Sequence, residues 1–246
     1  MATFDGKVAL VTGGSRGIGA AIAQRLARDG ANVAITYASS EQKAREVVRA
    51  IEGGGRKALA IRADAADAKA AQGAVDETVR VLGRIDVLVN NAGIATVAPV
   101  DQFSLEEFDR MVAVNVRAVF AAAQAAARHM GEGGRIITIG SVNADRVPFP
   151  GGSVYAMTKA AVAALGRGLA RDLGPRGITV NTVQPGPVDT DMNPANGPFA
   201  DAMHGFQAIA RHGRGDEIAA MVAYLAGPEA GFVTGACLTI DGGYAA

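Results

Sequence analysis

The chain has 246 residues, 49% of them hydrophobic, enough to bury a sizeable core within one α/β domain. Lysine and arginine (24) balance aspartate and glutamate (24), so no charge excess points to a nucleic acid or an anionic membrane, and a small ligand is expected. The single cysteine, Cys237, lies in an apolar run near the C-terminus; it excludes an intrachain disulfide and reads as a structural thiol.

The N-terminal Met1-Ala2-Thr3-Phe4-Asp5-Gly6-Lys7 has no basic start followed by an apolar stretch, and the Ala-rich run 118–127 is too short to span a bilayer. A cytoplasmic location is expected. Short β-branched runs then alternate with helical patterns. Strands are predicted at 8–12, 32–37, 57–62, 85–90, 135–140, 178–183 and 237–240, and helices near 18–29, 41–52, 67–82, 105–130, 154–173 and 216–226. The first six strands lack polar alternation, as strands covered on both faces do. The pattern predicts an α/β, three-layer doubly wound (Rossmann) fold, a seven-stranded parallel sheet with helices on both faces, forming a single domain over 1–246. The exception is 185–214, punctuated by Pro185, Pro187, Pro194 and Pro198, which reads as a lid or binding loop with one short helix near 199–211.

After the first predicted strand comes Thr12-Gly13-Gly14-Ser15-Arg16-Gly17-Ile18-Gly19 and then an amphipathic helix. A glycine turn at a helix start lets backbone N–H groups approach a pyrophosphate, and the helix dipole favours the negative charge. The second predicted strand ends in Tyr37-Ala38-Ser39-Ser40, without the carboxylate that NAD-specific sites place against the ribose. Arg16 can pair with a 2′-phosphate and Ser39 and Ser40 can donate hydroxyls, so NADP(H) is expected over NAD(H).

Tyr155-Ala156-Met157-Thr158-Lys159 opens a helical stretch and places a phenol and an ammonium on one face. A free tyrosine, with pKa about 10, is too weak an acid for exchange near neutrality, and a nearby cation lowers that value. Ser141 follows a predicted central strand, where the ligand crevice of such sheets lies. Its hydroxyl can polarise a carbonyl oxygen or can simply cap a turn.

Taken together, these motifs resemble the short-chain dehydrogenase/reductase family, in the branch of 3-oxoacyl-(acyl carrier protein) reductases and single-domain ketone reductases. The resemblance runs from about residue 5 to 246 and rests on 12–19, Asn90-Asn91-Ala92-Gly93, Asn115, Ser141, Tyr155, Lys159 and Pro185-Gly186. It implies an NADPH-dependent oxidoreductase that interconverts a ketone and a secondary alcohol. Tyr155 would be its acid and base, Lys159 would lower the Tyr155 pKa and hold the nicotinamide ribose, Ser141 would orient the carbonyl, and Asn115 would position Lys159 through a water. Asp64 with Ala65 would contact adenine. Asn91, Ala92 and Gly93 would form the ribose wall, with bracing of the central strand an equal role for Asn91. Pro185, Gly186, Val188 and Thr190 would face the nicotinamide. The segments 185–198 and 140–143 are further similar to bacterial reductase-like proteins described as biofilm-dispersal mediators that bind cyclic di-GMP. That alternative is a dinucleotide-binding regulator on the same scaffold. Only Arg211 and Arg214 lie near enough to serve such a ligand.

Candidate substrate-pocket residues are Val142, Asn143, Val147, Phe149, Pro187, Met192, Phe199, Met203 and Phe206, which suit a hydrophobic ketone or equally pack the lid on its own domain. His129, His204 and His212 are scattered without ligand spacing, so no metal is expected. The family resemblance implies a homotetramer or a homodimer, and the Ala-rich helix faces 118–127 and 160–170 permit close approach.

Overall fold

The computed structural model describes residues 3–246; Met1 and Ala2, which begin the expected leader-free N-terminus, lie outside the described residues. Seven parallel strands form one sheet: β1 (Val8–Val11), β2 (Asn32–Tyr37), β3 (Ala58–Arg62), β4 (Val87–Asn90), β5 (Arg135–Ile139), β6 (Thr179–Pro185) and β7 (Cys237–Ile240). Their order is β3-β2-β1-β4-β5-β6-β7. Among the described residues eight α-helices accompany them: α1 (Gly17–Arg28), α2 (Glu41–Gly53), α3 (Ala68–Leu82), α4 (Leu105–Val112), α5 (Ala118–His129), α6 (Ser153–Leu173), α7 (Ala200–His204) and α8 (Gly215–Ala226).

Each central strand sends alternate side chains to two cores. Ala9, Val11, Val87, Val89, Ile137 and Ile139 join α1, α2 and α8 on one face. Leu10, Leu88 and Ile136 join α3, α5 and α6 on the other. With apolar partners on both faces, neither side selects for polar residues, which is why the strands read as unbroken apolar runs. Strand order reverses between β1 and β4, and in open parallel sheets the ligand crevice lies at that switch point, outside the carboxyl ends of the strands.

The predicted helix at 105–130 is interrupted: Ala113–Arg117 form a π-helical stretch between α4 and α5. The helix expected near 199–211 closes after five residues as α7, because Gly205 follows and Phe206–Arg211 turn back towards the C-terminal tail. Elsewhere boundaries differ from expectation by one or two residues. Strand β6 runs to Pro185, a residue with no N–H to give, which stands at the last position of the ladder with β7, where Gly186 N–H donates to the Ile240 carbonyl instead. Among the described residues no helix is long and apolar enough to cross a membrane.

Candidate active site

Beyond β1 the chain turns sharply, with Gly13 at φ +64°, a conformation that excludes most side chains. Gly13 N–H donates to Thr36 Oγ1 and Gly14 N–H to the Thr36 carbonyl, both at 3.0 Å, so β2 fixes the turn from one side. From the other, the Asn91 amide donates to the carbonyls of Thr12 (2.9 Å) and Gly13 (3.1 Å), while Thr12 Oγ1 accepts from the N–H groups of Asn91 and Ala92. Of the two roles open to Asn91, bracing is the one its hydrogen bonds perform. No side chain caps α1, and Gly17, Ile18 and Gly19 at its start line the cleft. Free N–H groups and the positive end of the dipole therefore meet the space where a pyrophosphate fits.

A Cβ at Gly19 would lie 2.4 Å from Asn91 Nδ2 and 2.5 Å from the Gly13 carbonyl oxygen. Neither can retreat without breaking the brace. Gly19→Ala is expected to destabilise the chain by about 1–3 kcal/mol and to weaken dinucleotide binding, measured by thermal unfolding and calorimetric titration. Unchanged affinity would show that the turn does not carry the phosphates.

The cleft encloses about 650 Å³ and runs from this turn in both directions. On the β2 and β3 side lie Ser15, Arg16, Tyr37, Ser39, Ser40, Asp64 and Ala65. Asp64 accepts the N–H of Ala66 at 2.9 Å, which holds its carboxylate in the turn after β3. Lys43 in α2 and Arg16 converge on Asp191, at 2.7 and 3.6 Å, and together hold its carboxyl below the usual carboxylate range, Lys43 the more strongly. Neither Lys43 nor Asp191 stands out in the sequence.

At the other end, β5 delivers Ser141, and α6 carries Tyr155 and Lys159 one turn apart beside Gly93. Ser141 Oγ accepts the N–H of Asn143 at 3.1 Å and donates to Asn143 Oδ1 at 3.3 Å. The hydroxyl thus caps the short turn Val142–Ala144 and also borders the cleft. Lys159 Nζ donates to the Ile139 carbonyl at 2.9 Å and sits 5.7 Å from the Tyr155 ring centroid. Burial pushes Lys159 down to about 8. Burial also pushes the Tyr155 phenol above its ordinary value, and the Ser141 hydroxyl offsets only part of that rise. The expectation that Lys159 brings Tyr155 below its ordinary value is therefore not met within the chain alone: burial, the largest cause for both groups, disfavours the charged form of each.

Asn115 lies inside the π-helical stretch, which turns its side chain away from the regular ladder. Its amide donates to the Ile94 carbonyl (2.9 Å) and Thr158 Oγ1 (3.1 Å), and its Oδ1 accepts the Ile94 N–H (2.9 Å). It ties the segment after β4 to α6, behind Lys159 rather than on the cleft wall.

Pro185, Gly186, Val188 and Thr190 line the cleft beside this set, with Val142, Asn143, Phe149, Pro187, Met192 and Met203 around them. Phe199 does not join them; it is 70% exposed, because α7 turns Ala200 inwards instead. Val147 is also exposed, and Phe206 stacks edge-on against Tyr244 with centroids 5.9 Å apart. Tyr244 is the pocket residue the sequence hides. It is buried, lies beneath the Arg146 guanidinium and lines the cleft. Nothing local marks it, since its place depends on the tail turn that Asp241 holds through the N–H groups of Gly243 and Ala245.

Two of the scattered histidines meet: His204 Nε2 and His212 Nδ1 are 2.8 Å apart. Burial and the neighbouring ring hold His212 below its ordinary value. Among the described residues no group of three His, Cys, Asp or Glu is placed to hold a metal.

A doubly wound sheet whose switch-point cleft joins an uncapped helix start to a Ser–Tyr–Lys set is the architecture of a dinucleotide-dependent oxidoreductase. Comparison with known proteins agrees. Residues 13–245 match the family model described as enoyl-(acyl carrier protein) reductase. The chain is 59% identical to the short-chain dehydrogenase/reductase from Serratia marcescens BCRC 10948, covering 99% of this chain and 100% of that one at a TM-score of 0.98. It is 56% identical to a short-chain dehydrogenase from Burkholderia cenocepacia J2315 solved in complex with NADP, with 99% and 100% covered and a TM-score of 0.98. It is also 52% identical, over the whole of both chains, to the cyclic-di-GMP-binding biofilm dispersal mediator protein of Escherichia coli K12. The chain belongs to the short-chain dehydrogenase/reductase family of NAD(P)-dependent oxidoreductases.

Proposed function

We propose that the protein reduces a hydrophobic ketone to a secondary alcohol with NADPH, reversibly. The observation that carries this reading is the meeting of Ser141, Tyr155 and Lys159 in the same cleft as the glycine turn. The residues present fit the cofactor: the uncapped α1 start suits the pyrophosphate, Arg16 with Ser39 and Ser40 a 2′-phosphate, and Pro185–Thr190 the nicotinamide. When bound, the reduced nicotinamide supplies a hydride to the carbonyl carbon. The Ser141 hydroxyl donates to the carbonyl oxygen and orients it. Tyr155 Oη then gives that oxygen its proton, and the Lys159 ammonium stabilises the phenolate left behind. In the reverse direction the phenolate takes the alcohol proton. Asn115 holds α6, through Thr158, against the Ile94 backbone, so that Lys159 stays aimed at Tyr155 and the nicotinamide ribose.

Removing the Ser141 hydroxyl tests the assignment. Ser141→Ala is expected to lower kcat by about 10²-fold or more with little change in NADPH affinity; an unchanged kcat would leave Ser141 a turn cap and nothing else.

A second reading, a cyclic di-GMP-binding regulator, is favoured by the Escherichia coli relative's description. The charges around the cleft weigh against it. Neither Arg211 nor Arg214 lines the cleft, and each is paired outside it, with Glu217 at 2.7 Å and Asp216 at 3.0 Å. Equilibrium dialysis with cyclic di-GMP decides: saturable binding that NADPH does not displace would favour the regulator. We also place the protein in the cytoplasm, in keeping with one unpaired cysteine, and read 185–214 as its lid. A homotetramer is supported by apolar side chains left exposed, Phe120 on α5, Met157 on α6 and Phe232 before the edge strand β7. Sedimentation equilibrium at a mass of one chain would exclude it.

A further inference from the structure

A carboxylate stands where the NADPH reading needs cations. Asp191 lines the cleft and is held by Lys43 at 2.7 Å and Arg16 at 3.6 Å. It follows Thr190, whose Cγ2 would lie 3.3 Å from a Cβ added at Gly17, so the lid crosses the cleft right over the start of α1. The base of the lid is tied independently, through Asp189 N–H to the Gly213 carbonyl and Gly213 N–H to the Pro187 carbonyl, both at 2.9 Å. Its far end is tied by Ile209 N–H to the Gly242 carbonyl at 2.8 Å. Asp191 is thus the lid's ionic attachment on the cofactor side.

We propose that Asp191 is an internal competitor for the 2′-phosphate of NADP(H): carboxylate and phosphate share Lys43 and Arg16, and binding of the phosphate releases the tip of the lid. This rests on the NADP(H) reading above. The three side chains are each about half exposed (50%, 56% and 55%), and ion pairs at such exposure are weak enough to exchange. A phosphate ester carries nearly two charges and three acceptor oxygens, so it outbids a single carboxylate for the same two cations. NAD(H) has no such group and leaves the attachment in place. Lys43 becomes a specificity residue that β2 does not supply, and Asp191 sharpens the choice by giving way only to a phosphate.

The test uses the full chain and calorimetric titration with NADP+, NAD+ and adenosine 2′-monophosphate, with hydrogen exchange of 189–197 followed in parallel. Asp191→Asn is expected to tighten NADP+ and adenosine 2′-monophosphate by about two- to fivefold and to leave NAD+ unchanged. Lys43→Met weakens NADP+ by about tenfold, again sparing NAD+, and in that background the gain from Asp191→Asn shrinks. Adenosine 2′-monophosphate, but not the 5′-isomer, speeds exchange at 189–197. Weaker NADP+ binding by Asp191→Asn, or an equal shift for NAD+, would overturn the exchange while leaving the cofactor reading standing. Wild-type protein that binds NAD+ as tightly as NADP+ would instead remove the cofactor reading and the exchange with it.

Discussion

Tyr155→Phe is expected to cut kcat/KM for ketone reduction by about 10³-fold while leaving the NADP+ dissociation constant nearly unchanged. The substitution keeps the ring on α6 and removes one oxygen. The bond from Thr158 Oγ1 to the Tyr155 carbonyl, which steadies this turn of the helix, is a backbone contact and survives. What disappears is the proton that the product alkoxide must receive; Ser141 has a single hydroxyl proton, which its hydrogen bond to the substrate oxygen uses, while its oxygen accepts the N–H of Asn143. Titration together with steady-state kinetics separates the outcomes. Retained turnover would move the proton transfer to another group, and lost cofactor affinity would make Tyr155 a wall of the site rather than its acid. A protein acting as a regulator would keep its biological effect in this variant.

Lys159→Met is expected to abolish turnover and yet stabilise the chain in the absence of cofactor. Lys159 is 6% exposed, and its only hydrogen bond partner among the described residues is the Ile139 carbonyl. Its pKa falls from 10.5 to about 8 by burial, which corresponds to about 3 kcal/mol of penalty on the ammonium. Methionine fills much the same volume without the charge; after about 1 kcal/mol for the lost hydrogen bond, a net gain of about 2 kcal/mol remains. For a chain of this length that raises the melting temperature by about 4–8 °C. The sign with pH follows from linkage. Between pH 8 and 10.5 the unfolded lysine holds its proton while the folded one has lost it, so wild-type stability rises with pH across that window. The advantage of the variant is therefore full below pH 8 and shrinks towards 10.5. Melting curves of both proteins at several pH values check this. A variant less stable than wild type at neutral pH would mean that Lys159 is solvated or paired in the folded chain.

Much of this site was legible because its parts are local. The glycine turn, the Tyr155–Lys159 spacing and the end of β2 are each decided by a few consecutive residues, and every cofactor-side residue they named lines the cleft. The sheet was legible too, since strands apolar on both sides admit few other arrangements. What escaped depends on distant partners. The π-helical stretch around Asn115 answers to Ile94 and Thr158 rather than to its own sequence. The lid hid the most: Asp191 meets Lys43 across 148 positions, Tyr244 reaches the pocket only through the tail turn, and His204 finds His212 only because α7 ends early. Phe199 shows the converse error, where an aromatic in a binding loop was expected inside and faces solvent. Hydrophobicity alone does not say which way a short helix will roll.

Purified protein should be mixed with NADPH or NADH and offered a panel of hydrophobic ketones, ketoesters, quinones, 3-oxoacyl thioesters and an enoyl thioester, with cofactor oxidation followed optically. Oxidation of NADPH in preference to NADH, with a secondary alcohol as product, is the predicted result. Tight NADPH binding with no turnover on any carbonyl would contradict the reductase and leave the cleft to a regulator.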